Sequence, residues 1–212
     1  MQENNEVLDR TTISQAAADA FKAGDAVGGG YYAGQIRQTD GLYVLIVAPK
    51  DGGELDDIAW NGTTARVEGA QSYFDGRANT VALTEAGSEL GKWALGLQVN
   101  GNHDWYLPSR DELEILYRNL KPTAEENYAS FRDGENASSV PVGYPYTASI
   151  PTQSDVDLFR EDGPEAFESA WYWSSTQSAR GSGYAWVQTF GDGFQDLGRK
   201  GDAFRARAVR RL

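Results

Sequence analysis

Residues 104–113 read DWYLPSRDEL, and this stretch predicts the start of a firmly docked helix. Pro108 disfavours a helical residue before it, so the helix should begin just after it. Ser109 is a good N-cap, and Glu112 lies three residues later, which makes a capping box. The acidic residues of the first turn are explained by the positive end of the helix dipole. The stretch therefore predicts structure and not chemistry.

The apolar residues that follow define one buried face of this helix. Leu113, Leu116 and Leu120 recur at helical spacing, and Pro122 ends the pattern. We therefore expect a helix over residues 110–120.

A second helix is predicted over most of residues 84–97, because Leu90, Trp93 and Leu97 form an apolar stripe there. Residues 31–37 and 42–48 predict two strands that are joined by an Asp-Gly turn. Further strands are predicted at residues 170–175, 184–190, 194–197 and 206–212. Short helices are predicted at residues 11–23 and 162–169. Residues 51–80 are predicted to form an irregular segment.

The composition favours a loop-rich α+β protein with one domain, or one domain with an extension. Of 212 residues, 40% are apolar, and 24 Gly and 7 Pro provide many turns. The net charge of −12 argues against nucleic-acid binding, which needs a basic surface. Because there is no cysteine, disulfides and thiolate nucleophiles are excluded. No apolar run is long enough for a membrane span, and the polar start is not a signal peptide.

The sequence predicts an attachment arm at residues 1–27, followed by a domain at residues 28–212. The helix expected at 11–23 has a thin alanine-rich face that needs a partner surface. A short helix lying on its own domain is the alternative. The glycines at 28–30 loosely match a dinucleotide-binding loop, but no strand precedes them and no helix follows. A hinge or turn is the preferred interpretation.

Four motifs together resemble a domain family found in bacteriophage tail fibres and bacterial surface proteins. They are DWYLPSRDELEILY at residues 104–117, YWSSTQ at 172–177, AWVQTFGDG at 185–193 and RARAVRR at 205–211. That family has a C-type lectin-like fold and is related to the formylglycine-generating-enzyme fold. The resemblance implies an α+β domain in which two main helices pack on a small twisted antiparallel sheet with long loops.

The resemblance also implies a function, namely a bacteriophage virion protein that binds a host surface glycan or protein. The expected location is a tail fibre, tail tip or baseplate, with a capsid decoration or head fibre protein as the alternative. Residues 1–27 would attach to other virion proteins, and a homo-oligomer such as a trimer would raise avidity. A soluble cytoplasmic binding protein, which would not need such an arm, is a third hypothesis.

We expect no cofactor, metal or enzymatic activity. The sequence lacks the calcium motifs and disulfides of animal C-type lectins, and without cysteine it lacks the chemistry of the formylglycine-generating enzymes. His103 lies beside Asp104 without a nucleophile elbow, so it is interpreted as a turn residue. The acidic cluster that begins with Asp155 and Asp157 lacks EF-hand spacing and is interpreted as a solvated loop. No pair of carboxylates stands out, which leaves a polysaccharide depolymerase as the enzymatic alternative.

The candidate ligand contacts are aromatic and arginine side chains in or beside turns, because such side chains are enriched among binding hot spots. They are Tyr144, Tyr146, Arg180, Tyr184, Phe194 and Phe204. Trp171, Trp173 and Trp186 are an alternative sugar-stacking platform, although a core position is preferred for Trp173 and Trp186.

Overall fold

The structure is a computed structural model that describes residues 18–130 and 132–212. Over these residues the chain forms a mixed α/β fold with two β-sheets. No helix within the described ranges is long and apolar enough to cross a membrane. Most of the helix predicted at residues 11–23 lies outside the described residues. In the described part, only Ala18 is helical, so the prediction is wrong for residues 19–23.

The first sheet confirms the two N-terminal strands predicted from the sequence. Its strands are β1 (Ala26–Val27), β2 (Gly30–Arg37), β3 (Leu42–Val47), β5 (Ser139–Val140) and β10 (Val209–Arg211). They are antiparallel in the order β1-β2-β3-β10, and β5 pairs with β2. Gly28 and Gly29 have positive φ angles and form the turn between β1 and β2, and the Gly28 carbonyl accepts a hydrogen bond from Arg210. The glycine-rich stretch is thus a hairpin turn tied to the opposite end of the chain.

The second sheet contains the remaining strands and corrects two predictions. Its strands are β4 (Glu54–Ala59), β6 (Trp171–Gln177), β7 (Tyr184–Thr189), β8 (Gln195–Arg199) and β9 (Ala203–Arg207), in the order β4-β9-β6-β7-β8. Residues 51–80 are not irregular throughout, because β4 pairs with β9, which is distant in sequence. The strand predicted at 206–212 is divided between the two sheets at Ala208, whose backbone bonds to Gly53 and Ala48.

The helices confirm the helical segments predicted at 84–97 and 110–120, divide the first of them in two, and correct a third prediction. They are the kinked turn α1 (Lys50–Gly53), α2 (Gly76–Glu85), α3 (Glu89–Gly96) and α4 (Arg110–Leu120), with a 3₁₀ turn at Asp157–Phe159. Helix covers most of residues 84–97 as predicted, but as the end of α2 and the whole of α3 and not as one helix, because Gly87 has a φ of 86° and Ser88 caps a new helix. The short helix predicted at 162–169 is wrong, since Asp162 has a φ of 66° and Pro164 follows.

Helix α4 has the predicted capping box. The Ser109 hydroxyl accepts from the Glu112 amide at 3.3 Å, and the Glu112 carboxylate accepts from the Ser109 amide at 2.8 Å. The apolar face is buried in a core that also includes residues of β2, β3 and β10. The helix start is therefore fixed by both a cap and a core.

Glu112 makes more contacts than a capping box requires. Its side chain is fully buried and also accepts from the Tyr106 hydroxyl at 2.8 Å and the Gly76 amide at 3.2 Å. Burial raises the pKa of Glu112 to about 7, although these hydrogen bonds oppose the shift. The carboxylate joins the starts of α2 and α4.

The long stretch between α4 and β6 is anchored by buried polar side chains. Asn127 accepts from the Tyr117 hydroxyl at 2.6 Å and donates to the carbonyls of Thr147 and Pro151 at 3.0 and 2.9 Å. Arg207 is likewise fully buried, and it donates to the Glu165 carboxylate at 2.5 Å. These contacts hold a loop-rich region in a defined conformation.

Candidate functional site

A pocket of about 530 Å³ opens between the start of α4 and the β7–β8 edge of the second sheet. We call it the Trp186 pocket. Its walls include Tyr73, Arg110, Asp133, Arg180, Trp186 and Gln195. A concave site that combines aromatic and charged side chains is typical of small-ligand binding sites.

Arg110 is part of the pocket wall and lies beside two aromatic rings that contact each other. Its guanidinium carbon lies 5.3 Å from the ring centre of Tyr73 and 5.2 Å from that of Trp186. It donates to the Asp111 carboxylate at 3.0 Å and to the Gln195 side-chain oxygen at 2.8 Å. These contacts hold the guanidinium plane rigidly, while its buried Nε has no hydrogen-bond partner among the described residues.

Trp186 and Tyr73 form the aromatic part of the wall. Trp186 is half-buried on β7, opposite Leu197 of β8, and its ring meets that of Tyr73 edge-on with centroids 5.9 Å apart. Its indole N–H is buried without a partner in the described part of the chain. The Tyr73 carbonyl accepts from the Asp111 amide at 2.9 Å, so the backbone of this partly exposed tyrosine is held in place.

The carboxylates of the pocket are engaged by neighbouring groups. Asp111 pairs with Arg110 through one oxygen and accepts from the Ser138 hydroxyl at 2.7 Å through the other. Asp133 accepts from the Ser130 hydroxyl at 2.7 Å. Burial raises the pKa of both Asp111 and Asp133, and these hydrogen bonds oppose the shift.

The six side chains predicted as ligand contacts do not come together. Arg180 is exposed and lines the Trp186 pocket. Tyr144 is 74% exposed and lines a smaller depression of about 140 Å³ beside α4. Tyr146 is buried, and its hydroxyl donates to Glu114 at 3.0 Å.

The other three predicted contacts lie outside both pocket walls. Tyr184 is exposed at the start of β7, whereas Phe194 and Phe204 are half-buried. The ring of Phe194 packs on Tyr128 with the ring centroids 4.4 Å apart, and the ring of Phe204 packs on Trp173 with the centroids 4.8 Å apart. Both rings are therefore held by packing against neighbouring aromatic side chains.

Tyr73 and Arg110 were not identified from the sequence, and Trp186 was assigned to the core in preference to a binding platform. Trp173 does lie in the core, fully buried, but Trp186 lies in the pocket wall. Successive side chains of a strand point to opposite faces, so Trp186 points away from the face that carries Ala185 and Val187. This alternation is the sequence pattern from which a position outside the core could have been predicted for Trp186.

No group of three or more metal-ligating side chains occurs within residues 18–130 and 132–212. In the acidic cluster, the Arg160 guanidinium lies 3.2 Å from Asp157 and 3.9 Å from Asp155. His103 is exposed at the turn before α4. These residues are thus arranged as a surface ion-pair cluster and a turn.

Comparison with known proteins gives a family match over most of the chain. The model of the Lcl C-terminal domain family matches residues 54–210. The comparison with curated proteins gave no match. Among solved structures, a fimbrial protein from Bacteroides ovatus is similar at 14% identity with a TM-score of 0.41. That similarity covers 78% of this chain and 35% of the fimbrial protein, so this chain spans about a third of that protein's length.

Proposed function

This chain belongs to the Lcl C-terminal domain family, and on that basis we propose that it is a binding module that recognises a host surface glycan. The family is one of bacterial surface and secreted proteins. The resemblance of residues 104–117 and 172–177 to phage tail-fibre domains supports a place on a bacteriophage virion. A capsid decoration or head fibre protein remains the alternative location.

The observation that carries the proposal is the cluster of Tyr73, Arg110 and Trp186 in one open pocket. A sugar presents an apolar ring face that packs on aromatic side chains and hydroxyl groups that hydrogen-bond to polar ones. The wall also carries exposed polar side chains, among them Arg132 and Arg180. The pocket therefore combines an aromatic surface with polar groups that a ligand can reach.

Binding is favoured over hydrolysis by the contacts of the pocket carboxylates. Glycoside hydrolysis needs one carboxyl group free to donate a proton and another free to act as a base or nucleophile. Asp111 has both oxygens engaged, and Glu135 pairs with Arg132 at 3.3 Å. Incubation with bacterial capsule or lipopolysaccharide tests this directly, since release of sugar fragments would identify a depolymerase.

The fold proposed for this module is the C-type lectin-like fold. Three features support it: β10 returns beside β3, α2 and α4 flank the sheets, and a long loop stretch separates α4 from β6. Such an arrangement presents loops on a rigid scaffold, which suits ligand recognition.

Attachment to the virion is proposed through the N-terminal segment, with assembly into a homo-oligomer such as a trimer. The informative deletion is residues 1–17, because Ala26 and Val27 pair with β2 and their loss would disturb the sheet. The shortened protein should stay folded by circular dichroism but be missing from purified particles. Incorporation at normal copy number would contradict this attachment.

The test of the binding site compares two tyrosines of equal exposure. Tyr73 is 38% exposed in the pocket, and Tyr184 is 39% exposed outside its wall. On an array of bacterial capsule and lipopolysaccharide glycans, Tyr73→Ala should weaken binding by about 30-fold, the loss that corresponds to a hot spot of about 2 kcal/mol. Tyr184→Ala should leave it unchanged. Equal losses, or a loss confined to Tyr184→Ala, would place the binding site elsewhere.

A further inference from the structure

Two Asn-Gly pairs occur in the chain, and the structure places them in opposite surroundings. In both pairs the asparagine is prone to deamidation, because a following glycine leaves its backbone nitrogen unhindered. Asn61, which precedes Gly62, is 5% exposed, and its amide donates to the Lys200 carbonyl at 3.2 Å. Asn100 and Gly101 are both exposed, between α3 and α4. The two asparagines therefore differ in their access to water and not in the residue that follows them.

Asn100 and Gly101 form the tip of a two-residue hairpin turn. The Val99 amide donates to the Asn102 carbonyl at 3.2 Å, and the Asn102 amide donates to the Val99 carbonyl at 3.0 Å. The φ angles of Asn100 and Gly101 are 50° and 76°, which is typical of the type I′ turn that Asn-Gly favours. A Cβ at Gly101 would meet no atom within 4 Å. The tip thus lies in open space, and a short exposed turn of this kind opens at a low free-energy cost.

The Asn100 side chain ties this tip to the turn between β1 and β2. Its Nδ2 group donates to the Gly29 carbonyl at 2.9 Å. The two turns are in direct contact, because a Cβ at Gly29 would lie 2.1 Å from Asn102 Nδ2. Asn100 is therefore the donor in a contact that an amide can make and a carboxylate cannot.

We propose that Asn100 is a site of spontaneous deamidation and that the reaction releases its contact with Gly29. The Gly101 nitrogen attacks Asn100 Cγ, and its proton passes through water to the Nδ2 group, which leaves as ammonia. The product is a five-membered imide, and water then breaks one of the two C–N bonds that the Gly101 nitrogen makes in the ring. Cleavage of the bond to Cγ gives aspartate. Cleavage of the bond to the backbone carbonyl carbon gives isoaspartate, in which the chain runs through Cγ.

Both products change the contact with the β1–β2 turn. A carboxylate has no hydrogen to donate, and its oxygens would face the Gly29 carbonyl oxygen, so repulsion replaces the hydrogen bond. Isoaspartate also adds one carbon to the backbone of a two-residue turn, which disturbs the pairing of Val99 with Asn102. Asn61 is protected, because attack on its side chain requires local opening of the core around it. These residues lie outside the wall of the Trp186 pocket, so the inference does not depend on glycan binding.

The site is tested by peptide mapping of the full chain with mass spectrometry during incubation at neutral pH. Deamidation is seen as the mass increase from amide to carboxyl group, and chromatography separates the aspartate and isoaspartate peptides. A synthetic peptide with the sequence of residues 97–104 is the rate standard. Asn100 should convert at least about tenfold faster than Asn61, because only Asn61 requires opening of the core. No conversion at Asn100 by the time the peptide has converted completely, or equal rates at the two asparagines, overturns the site.

The released contact is tested by hydrogen exchange of the amides in residues 24–34. Asn100→Asp reproduces one product of the reaction, and it should speed exchange in this hairpin by about fivefold, the factor for one lost hydrogen bond. Gln98→Glu is the matched control, because Gln98 is exposed and the substitution adds the same charge close by in the chain. Exchange in the control should equal that of the parent protein. Unchanged exchange in Asn100→Asp, or an equal increase in both variants, overturns the effect on the β1–β2 turn.

Discussion

Replacing Glu112 with Gln should change the pH dependence of stability in a calculable way. The folded-state pKa is about 7 against an ordinary value of 4.5, because burial penalises the charged form. The folded protein therefore binds the Glu112 proton more tightly than the unfolded chain does. The stabilising contribution of the protonated carboxyl is fully present below pH 4.5 and is lost as the pH rises through 7.

The size of this loss of stability follows from the difference between the pKa of Glu112 in the folded protein and its ordinary pKa. One pKa unit corresponds to about 1.36 kcal/mol, so the carboxyl loses about 3 kcal/mol of stabilisation between pH 4 and pH 7.5. Gln has nearly the same shape as the protonated acid and no charge to titrate. It keeps an acceptor oxygen for the amides of Ser109 and Gly76, so at pH 4 Glu112→Gln should change stability by only about 1 kcal/mol.

Urea denaturation at pH 4, 6 and 7.5 measures the difference between Glu112→Gln and the parent protein. That difference should move by about 3 kcal/mol in favour of Gln as the pH rises. Other buried carboxyl groups titrate equally in both proteins, so their contributions cancel in the difference between the two unfolding free energies. Glu126→Gln, at an exposed position, is the control for loss of a surface charge. A difference that stays constant across these pH values would refute a strongly raised pKa for Glu112.

Three further substitutions test other contacts by the same denaturation assay. Arg207→Leu removes the buried guanidinium that pairs with Glu165 and should cost about 3–5 kcal/mol, whereas a loss below about 1 kcal/mol would contradict its structural role. Asn127→Ala should cost about 2–3 kcal/mol and speed proteolysis of the long loop stretch that Asn127 anchors, and unchanged cleavage would argue against that anchor. Gly193→Ala places a Cβ 2.3 Å from the Tyr117 ring at a φ of 81° and should cost about 2–3 kcal/mol. Gly201→Ala, whose Cβ meets no atom within 4 Å, should be neutral and is its control.

Local patterns predicted the elements that local physics determines. The capping box of Ser109 and Glu112, the helix after it and the two strands joined by Asp40-Gly41 depend on neighbours within a few residues. The break at Gly87 was missed because the apolar stripe of Leu90, Trp93 and Leu97 lies after it and does not fix where the helix begins, whereas the positive φ that divides the helices cannot be read from a spacing. β4 was missed because its pairing with β9 spans most of the chain.

The candidate site was less predictable because its members are far apart in sequence. Tyr73, Arg110 and Trp186 come from a loop, a helix start and a central strand, and no spacing relates them. Arg180 was identified from the sequence because an arginine in a glycine-rich turn is an exposed cation in almost any fold. Tyr146 was predicted to be exposed because it lies among turn residues. It is instead buried, because its hydroxyl is hydrogen-bonded to Glu114 and Gln188 in the core.

The pairing of β10 with β3 has a consequence for the order of events during synthesis. The β2–β3 hairpin emerges from the ribosome some 160 residues before its partner at Val209–Arg211, so the open edge of β3 stays unpaired while those residues are made. An unpaired apolar edge is a template for association with other nascent chains. Closure of this sheet depends on contacts between distant residues, and folding is therefore expected to be slow and to finish only after residues 209–211 are free.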